Sequence, residues 1–242
     1  MGVMQIGRVP LVGRQTDLDA LRDEVDAVRT EGRAVVVSGD AGMGKTRLIR
    51  DFTETLDGVI VLRGACLDSG SGPAPLTAVT DLLRDLVDAL GVDAVREAAG
   101  PGADALSVLV PAISDRLGHA ERLADVVVEL ISQLARTHSL VLIIEDLHWA
   151  DGTTLDIVTR LVRRAAAIPL FLLLSYRTDD VGRGHPLRPV LAELDRARLL
   201  THRPLARLTP AEVAALANAV NGEPLPPAAL TDIVARSDGI PF

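Results

Sequence analysis

An open α/β fold, with five parallel strands between helices and the start of a helical lid, is the class this chain predicts. Three observations carry that expectation. Short unbroken apolar runs alternate with segments of helical periodicity, the pattern of strands buried on both faces. A glycine-rich turn joins the first run to a helical pattern. The third run ends in two adjacent acids, at the strand edge where open α/β sheets place their ligands.

Each element can be argued in order. Residues 1–10 read as a lead-in. Leu11-Val12-Gly13-Arg14 precedes an amphipathic helix through Leu18, Leu21, Val25 and Val28. Ala34–Ser38 is a β-branched strand, and Leu48, Ile49, Phe52 and Leu56 recur at helical spacing after the turn. Val59–Arg63 is a second strand, followed from Gly64 to Pro75 by a turn-rich connection of small residues. Helical patterns cover 76–90 and 120–136, with short helices and loop around Gly91, Gly100, Pro101 and Gly102 between them. Leu140–Ile144 is the third strand, ending in Glu145-Asp146, and a helix follows through Leu155, Val158, Leu161 and Val162. Leu170–Ser175 is the fourth, ending near Arg177, and Leu199–His202 completes five. From Leu208 the pattern is helical again, through Val213, Leu216 and Val220 and then Leu230, Ile233 and Val234. These readings divide the chain into a lead-in (1–10), an α/β domain (11–204) and the start of a helical lid (205–242).

Composition narrows the function. The chain has 242 residues, 48% of them hydrophobic, so a sizeable and mostly aliphatic core is available. The net charge is −8 and the arginines are scattered, which argues against this segment reading DNA itself. A single cysteine, Cys66, excludes an internal disulfide and a cysteine-based metal site. The five histidines show no ligand spacing, so no structural zinc is expected. No apolar run reaches membrane-spanning length, and the cytoplasm is the expected compartment. The C-terminal end has no tail-like composition, and a longer parent protein is expected.

The chemistry starts at Lys45, the only lysine among 25 basic residues. It stands in Gly39-Asp40-Ala41-Gly42-Met43-Gly44-Lys45-Thr46, a complete G-x-x-x-x-G-K-[ST] phosphate-binding loop. An ammonium is a compact point charge on a flexible stem that reaches the β- and γ-phosphates, where a planar guanidinium would be too wide. The glycines let backbone N–H groups curl around phosphate, and Thr46 offers its hydroxyl to Mg²⁺. The helix N-terminus, through Arg47, favours an anion by its free N–H groups and dipole. The fold is therefore that of a P-loop NTPase, and the expected ligands are a nucleoside triphosphate, ATP or its product ADP, with Mg²⁺.

Glu145 and Asp146 supply the acids such a site needs. Taken in order, Glu145 serves the metal and Asp146 orients the attacking water. Shifted by one, Asp146 serves the metal and Leu147 stands where a base should be, which would bind ATP and hydrolyse it poorly. Asp151 reads as the N-cap of the next helix. His148 and Trp149 read as loop packing. Arg177 is either a γ-phosphate sensor or an exposed loop arginine. Arg183, in a Gly-rich loop, is a weaker candidate for acting in trans on a neighbour.

Leu11–Arg14, Gly39–Thr46, Ile144-Glu145-Asp146-Leu147-His148-Trp149-Ala150-Asp151, Ser175-Tyr176-Arg177 and Gly239-Ile240-Pro241 occur together and in order. That series resembles the nucleotide-binding domain of large bacterial LuxR-type transcriptional regulators. Those are signal-transducing ATPases with numerous domains, the STAND branch related to AAA+ proteins. The resemblance runs from about Leu11 to Phe242 and is most specific at Leu147–Asp151. It implies that Val12, Gly13 and Arg14 lie near the adenine and ribose, that Arg177 senses the γ-phosphate, and that Pro241 packs on the adenine. It implies a slow switch, closed with ADP and opened by ATP and an inducer, with self-association in the ATP state. DNA would be bound only through a C-terminal helix-turn-helix domain, which this chain lacks. The chain departs from the pattern at Gln15, where glutamate is common, in the order Glu145-Asp146, and in a lid that stops at its proline. The expected function is an ATP/ADP-binding regulatory switch with slow Mg²⁺-dependent hydrolysis. A turnover AAA+ motor is the alternative, and a small-molecule kinase a more distant one.

Overall fold

The computed structural model describes residues 10–28, 31–70, 72–116, 118 and 120–241. The lead-in other than Pro10, and Phe242, lie outside them. Along the chain the main elements are α1 (Gln15–Asp26), β1 (Arg33–Gly39), α2 (Lys45–Thr53), β2 (Ile60–Ala65), α3 (Thr77–Leu90), α4 (Val92–Ala99), α5 (Ala103–Leu106) and α6 (Leu123–Leu134). They continue with β3 (Leu140–Glu145), α7 (Gly152–Ala165), β4 (Leu170–Arg177), α8 (Leu187–Arg196), β5 (Thr201–Pro204), α9 (Pro210–Asn221) and α10 (Pro227–Ser237).

The five strands form one sheet in the order β2-β3-β4-β1-β5, and every pairing is parallel. The expected fold class is therefore what the chain adopts. The sequence dictates it: β1, β3 and β4 are apolar at nearly every position, so both faces must be covered. Alternate residues serve two cores. Val35, Val37, Val141, Ile143, Phe171 and Leu173 pack under α1 and α2 with Leu18, Leu21, Leu48, Ile49 and Phe52. Val36, Leu142, Ile144, Leu172 and Leu174 pack on the other face under α3, α6, α7 and α8. Fully burying each such aliphatic side chain contributes about 1.5–3 kcal/mol.

Some boundaries move for physical reasons. β2 runs on through Gly64 and Ala65, which the sequence reading gave to the connection. At Gly64 a Cβ would stand 2.2 Å from the Ala78 carbonyl oxygen, so the missing side chain lets α3 lie against the strand. The fifth strand forms at Thr201–Pro204 rather than Leu199–His202, because Leu199 and Leu200 pack against the core before the chain enters the sheet. Val28 and Leu56 lie just past the ends of α1 and α2, yet both pack against the core as their spacing predicted.

The last two helices are held differently. Thr209 and Glu212 form a reciprocal capping box at the start of α9. Only Val213 of α9 is buried and no residue of α10 is, so this pair is joined to the rest by few apolar contacts. Such sparsely packed elements open at low free energy.

Candidate functional site

The phosphate loop lies between β1 and α2, as its spacing required. Gly44 has φ +86 at the helix entrance, a left-handed conformation that glycine adopts without a steric penalty. Lys45 is 7% exposed, and its Nζ donates to the carbonyls of Gly39 at 2.7 Å and Asp40 at 2.9 Å. Burial lowers the pKa of its ammonium. Asp146 opposes that most strongly, Arg177 adds to the lowering, and Asp179 and Asp40 oppose it. Met43 is buried and anchors the loop in the core beneath it. Thr46 is exposed at the second position of α2. Arg47 pairs with Asp51 at 2.9 Å along the same helix, so its guanidinium is engaged there.

Arg14 is held by the phosphate loop and its own helix. Its side chain is 4% exposed, and one guanidinium nitrogen donates to the Met43 carbonyl at 3.1 Å. Another lies 3.5 Å from Asp17, and its Nε has no hydrogen-bond partner among the described residues. It is a strut beneath the phosphate loop. Val12 is partly buried beside it. Gly13 has φ +67, and a Cβ there would meet Glu212 and Leu208 at 2.7 Å.

The acidic pair separates. Strand alternation puts Glu145 on the side of Val141 and Ile143, and its carboxylate lies 4.0 Å from Arg63 of β2. Asp146 leaves the strand with φ +57, a conformation uncommon outside glycine that clusters at functional sites. Its N–H donates to the Ser175 hydroxyl at 3.2 Å. Its carboxylate lies 3.9 Å from Arg177 Nε and 3.8 Å from His148 Nδ1. Lys45, Asp146 and Arg177 thus share one charged cluster. Leu147, next in the chain, is 1% exposed.

His148 is buried and packs its ring 5.4 Å from that of Trp149. Its Nδ1 accepts the Arg177 N–H at 3.4 Å, and its carbonyl oxygen lies 3.0 Å from His185 Nε2. Burial lowers its pKa against the pull of Asp146 and Asp180, which keeps the imidazole neutral near pH 7. Asp151 caps α7, accepting the N–H groups of Thr153 and Thr154, and also accepts the Leu76 N–H at 2.9 Å. Burial alone would raise its pKa, but these bonds and the Thr154 hydroxyl hold it below the usual value. Cys66, behind the acidic turn, has its thiol pushed up to about 12 by burial, Asp151 and Asp146, so it is unreactive. Arg183 is exposed.

Residues beyond β5 reach the loop from the other side. The Leu208 N–H donates to the Gly239 carbonyl at 2.8 Å, and Ile240 packs against the core under α1 and α2. Pro241 Cγ stands 3.9 Å from where a Cβ on Gly44 would be. The structure therefore gathers Gly13, Arg14, the loop from Gly39 to Thr46, Asp146, Arg177 and Pro241. Glu145 faces Arg63, and the Arg47 guanidinium pairs with Asp51. The sequence reading missed Thr178, Asp179, Asp180 and Glu212. For Glu212 the signal was the T-x-x-E spacing from Thr209, and for the others only the acids just beyond Arg177.

A parallel sheet whose first strand feeds a glycine-rich loop onto a helix N-terminus, with a buried lysine in the loop and an acid-ended strand two places away, defines a P-loop NTPase. Residues 10–174 match the AAA ATPase domain family, well over half of the chain, and the chain belongs to that family of nucleotide-binding ATPases. An uncharacterized protein of Rhizobium meliloti (strain 1021) is 25% identical over 218 residues, covering 77% of this chain and 21% of that protein. The chain thus spans a minor part of that relative's length. Among solved structures, a chain of the Drosophila ORC bound to DNA matches with a TM-score of 0.43 and 17% identity, over 80% of this chain and 93% of that one. Among the described residues no helix is long and apolar enough to cross a membrane, and no group of three or more His, Cys, Asp or Glu side chains is placed to hold a metal ion.

Proposed function

We propose that this chain is the ATP/ADP-binding switch domain of a LuxR-type regulator of the STAND branch, with slow Mg²⁺-dependent hydrolysis controlling its shape and self-association. One observation carries the reading. Asp146 alone of the acidic pair joins Lys45 and Arg177, while Glu145 turns to Arg63 and Leu147 is buried. One carboxylate at the outer phosphates suffices for a metal, and the residue after it, where a water-orienting acid is expected, is the buried Leu147. Such a site holds nucleotide well and turns it over slowly.

The donor set suits a magnesium nucleotide: a buried ammonium, loop N–H groups, an exposed hydroxyl at the helix start and a nearby carboxylate. The N–H groups from Gly39 to Arg47 would hold the phosphates, with Lys45 at their outer end. Thr46 and Asp146 would hold Mg²⁺, which when bound neutralises charge on the phosphates. Arg177 would meet the γ-phosphate. Val12, Gly13 and Pro241 would frame the base, with Arg14 bracing the loop from below. In this reading residues 11–204 are the nucleotide-binding domain and 205–242 the start of its lid. DNA would be bound by another part of the parent protein. The exposed Arg183 favours a second reading, a turnover motor completed by a neighbour's arginine.

Nucleotide-dependent thermal unfolding tests the proposal. At ligand one hundred times Kd, binding contributes about 2.7 kcal/mol, and 1 kcal/mol is roughly 2–4 °C in a domain of this size. Both Mg·ADP and Mg·ATP are expected to raise Tm, and Lys45→Ala to abolish both shifts. Wild-type protein with no shift and no calorimetric binding at millimolar nucleotide would overturn it.

A further inference from the structure

The segment just beyond Arg177 is tied to the first half of the phosphate loop. The Thr178 N–H donates to the Gly39 carbonyl at 3.3 Å, and its hydroxyl donates to the Asp40 carboxylate. Asp179 accepts the Ala41 N–H at 3.3 Å. A carboxylate thus takes a loop N–H, the kind of group with which these loops hold phosphate. Asp179 also acts on the cation: it stabilises the Lys45 ammonium, as Asp40 does. Negative charge from the chain itself therefore stands at the outer end of the loop, two residues from Arg177. Both Thr178 and Asp179 are exposed, so their contacts can exchange without disturbing the core.

We propose that Asp179 is a specificity-determining residue that sets the preference for ADP over ATP, by holding the Ala41 N–H and competing with the γ-phosphate for Lys45. The inference rests on the nucleotide reading of the loop. A diphosphate leaves the outer end of the loop to Asp179. A third phosphate brings like charge against it, and like charges at short range repel. For ATP to bind, the Thr178–Asp179 strap must release the loop. That release loosens the start of the 178–186 segment, which carries Arg183 and stays tied to His148 through Asp180 and His185 before α8. A ligand shifts a conformational equilibrium only through differential affinity, and Asp179 relates differently to the two nucleotides.

Asp179→Asn keeps the size and the acceptor oxygen and removes only the charge. Titration calorimetry of the folded protein with Mg·ADP and Mg·ATP, at low and high salt, reads the consequence. The variant is expected to bind ATP about fivefold or more tightly relative to ADP, with ADP affinity within about twofold of wild type. The wild-type preference for ADP is expected to shrink with salt, and the variant's ratio to depend on salt less. Asp179→Ala should change the ratio in the same direction. An unchanged ratio, or equal weakening of both nucleotides, would overturn the proposal and leave Asp179 as a loop brace. Wild-type protein that binds neither nucleotide would instead sink the nucleotide reading itself.

Discussion

Lys45 and Asp146 show how much chemistry two positions can fix. Desolvation makes a buried ammonium costly, and its carbonyl partners and Asp146 offset that cost. The adjacent acids face different partners because a left-handed turn at Asp146 breaks the strand alternation that governs Glu145. Asp146→Asn should lower Mg²⁺-dependent phosphate release by tenfold or more, an order of magnitude typical of lost transition-state interactions. Its nucleotide-induced rise in Tm should largely remain. Glu145→Gln should have the smaller effect on release, since its carboxylate faces Arg63. Single-turnover phosphate release on the two variants compares them. A larger loss in Glu145→Gln would reverse the roles assigned here.

The helices that frame the site depend on particular caps. Asp151 starts α7 and at the same time ties the entrance of α3 through the Leu76 N–H. Asp151→Ala should destabilise the fold by about 1–2 kcal/mol, measured by urea unfolding. Because its folded pKa lies below the unfolded value of 3.8, its contribution is present above that pH. It is lost as pH falls through the lower folded value, so wild type and variant should converge in acid. The cap was legible from one aspartate before a helical pattern, but its second partner, 75 residues away, was not. The central strands were equally legible, since an unbroken apolar run has few alternatives. β5 was legible as an element but not in its bounds, because Leu199 and Leu200 pack against the core before the sheet begins.

Taken whole, the molecule assembles its site from parts that spacing cannot relate. The phosphate loop is local, so its motif revealed it. The strap from Thr178 and Asp179 crosses 138 positions to reach Asp40 and Ala41, and nothing in either segment announces the other. The segment after β5 is similar: Gly13, Leu208, Glu212 and Gly239 meet only because the chain returns over β1 after its last strand. These long-range contacts are mostly exposed, whereas the central strands β1, β3 and β4 beneath are buried at nearly every position. A rigid base with loosely tied upper segments is what a two-state switch needs, since bound nucleotide can bias the ties without unfolding the sheet.

Phosphate release from Mg·ATP, followed first with protein in excess and then with ATP in excess, decides between switch and motor. Release that stalls near one phosphate per chain, or continues only very slowly, is the result expected of a site with one competent carboxylate. Steady release over many cycles would contradict it, and would put Asp146 and Arg183 at the centre of a turnover mechanism.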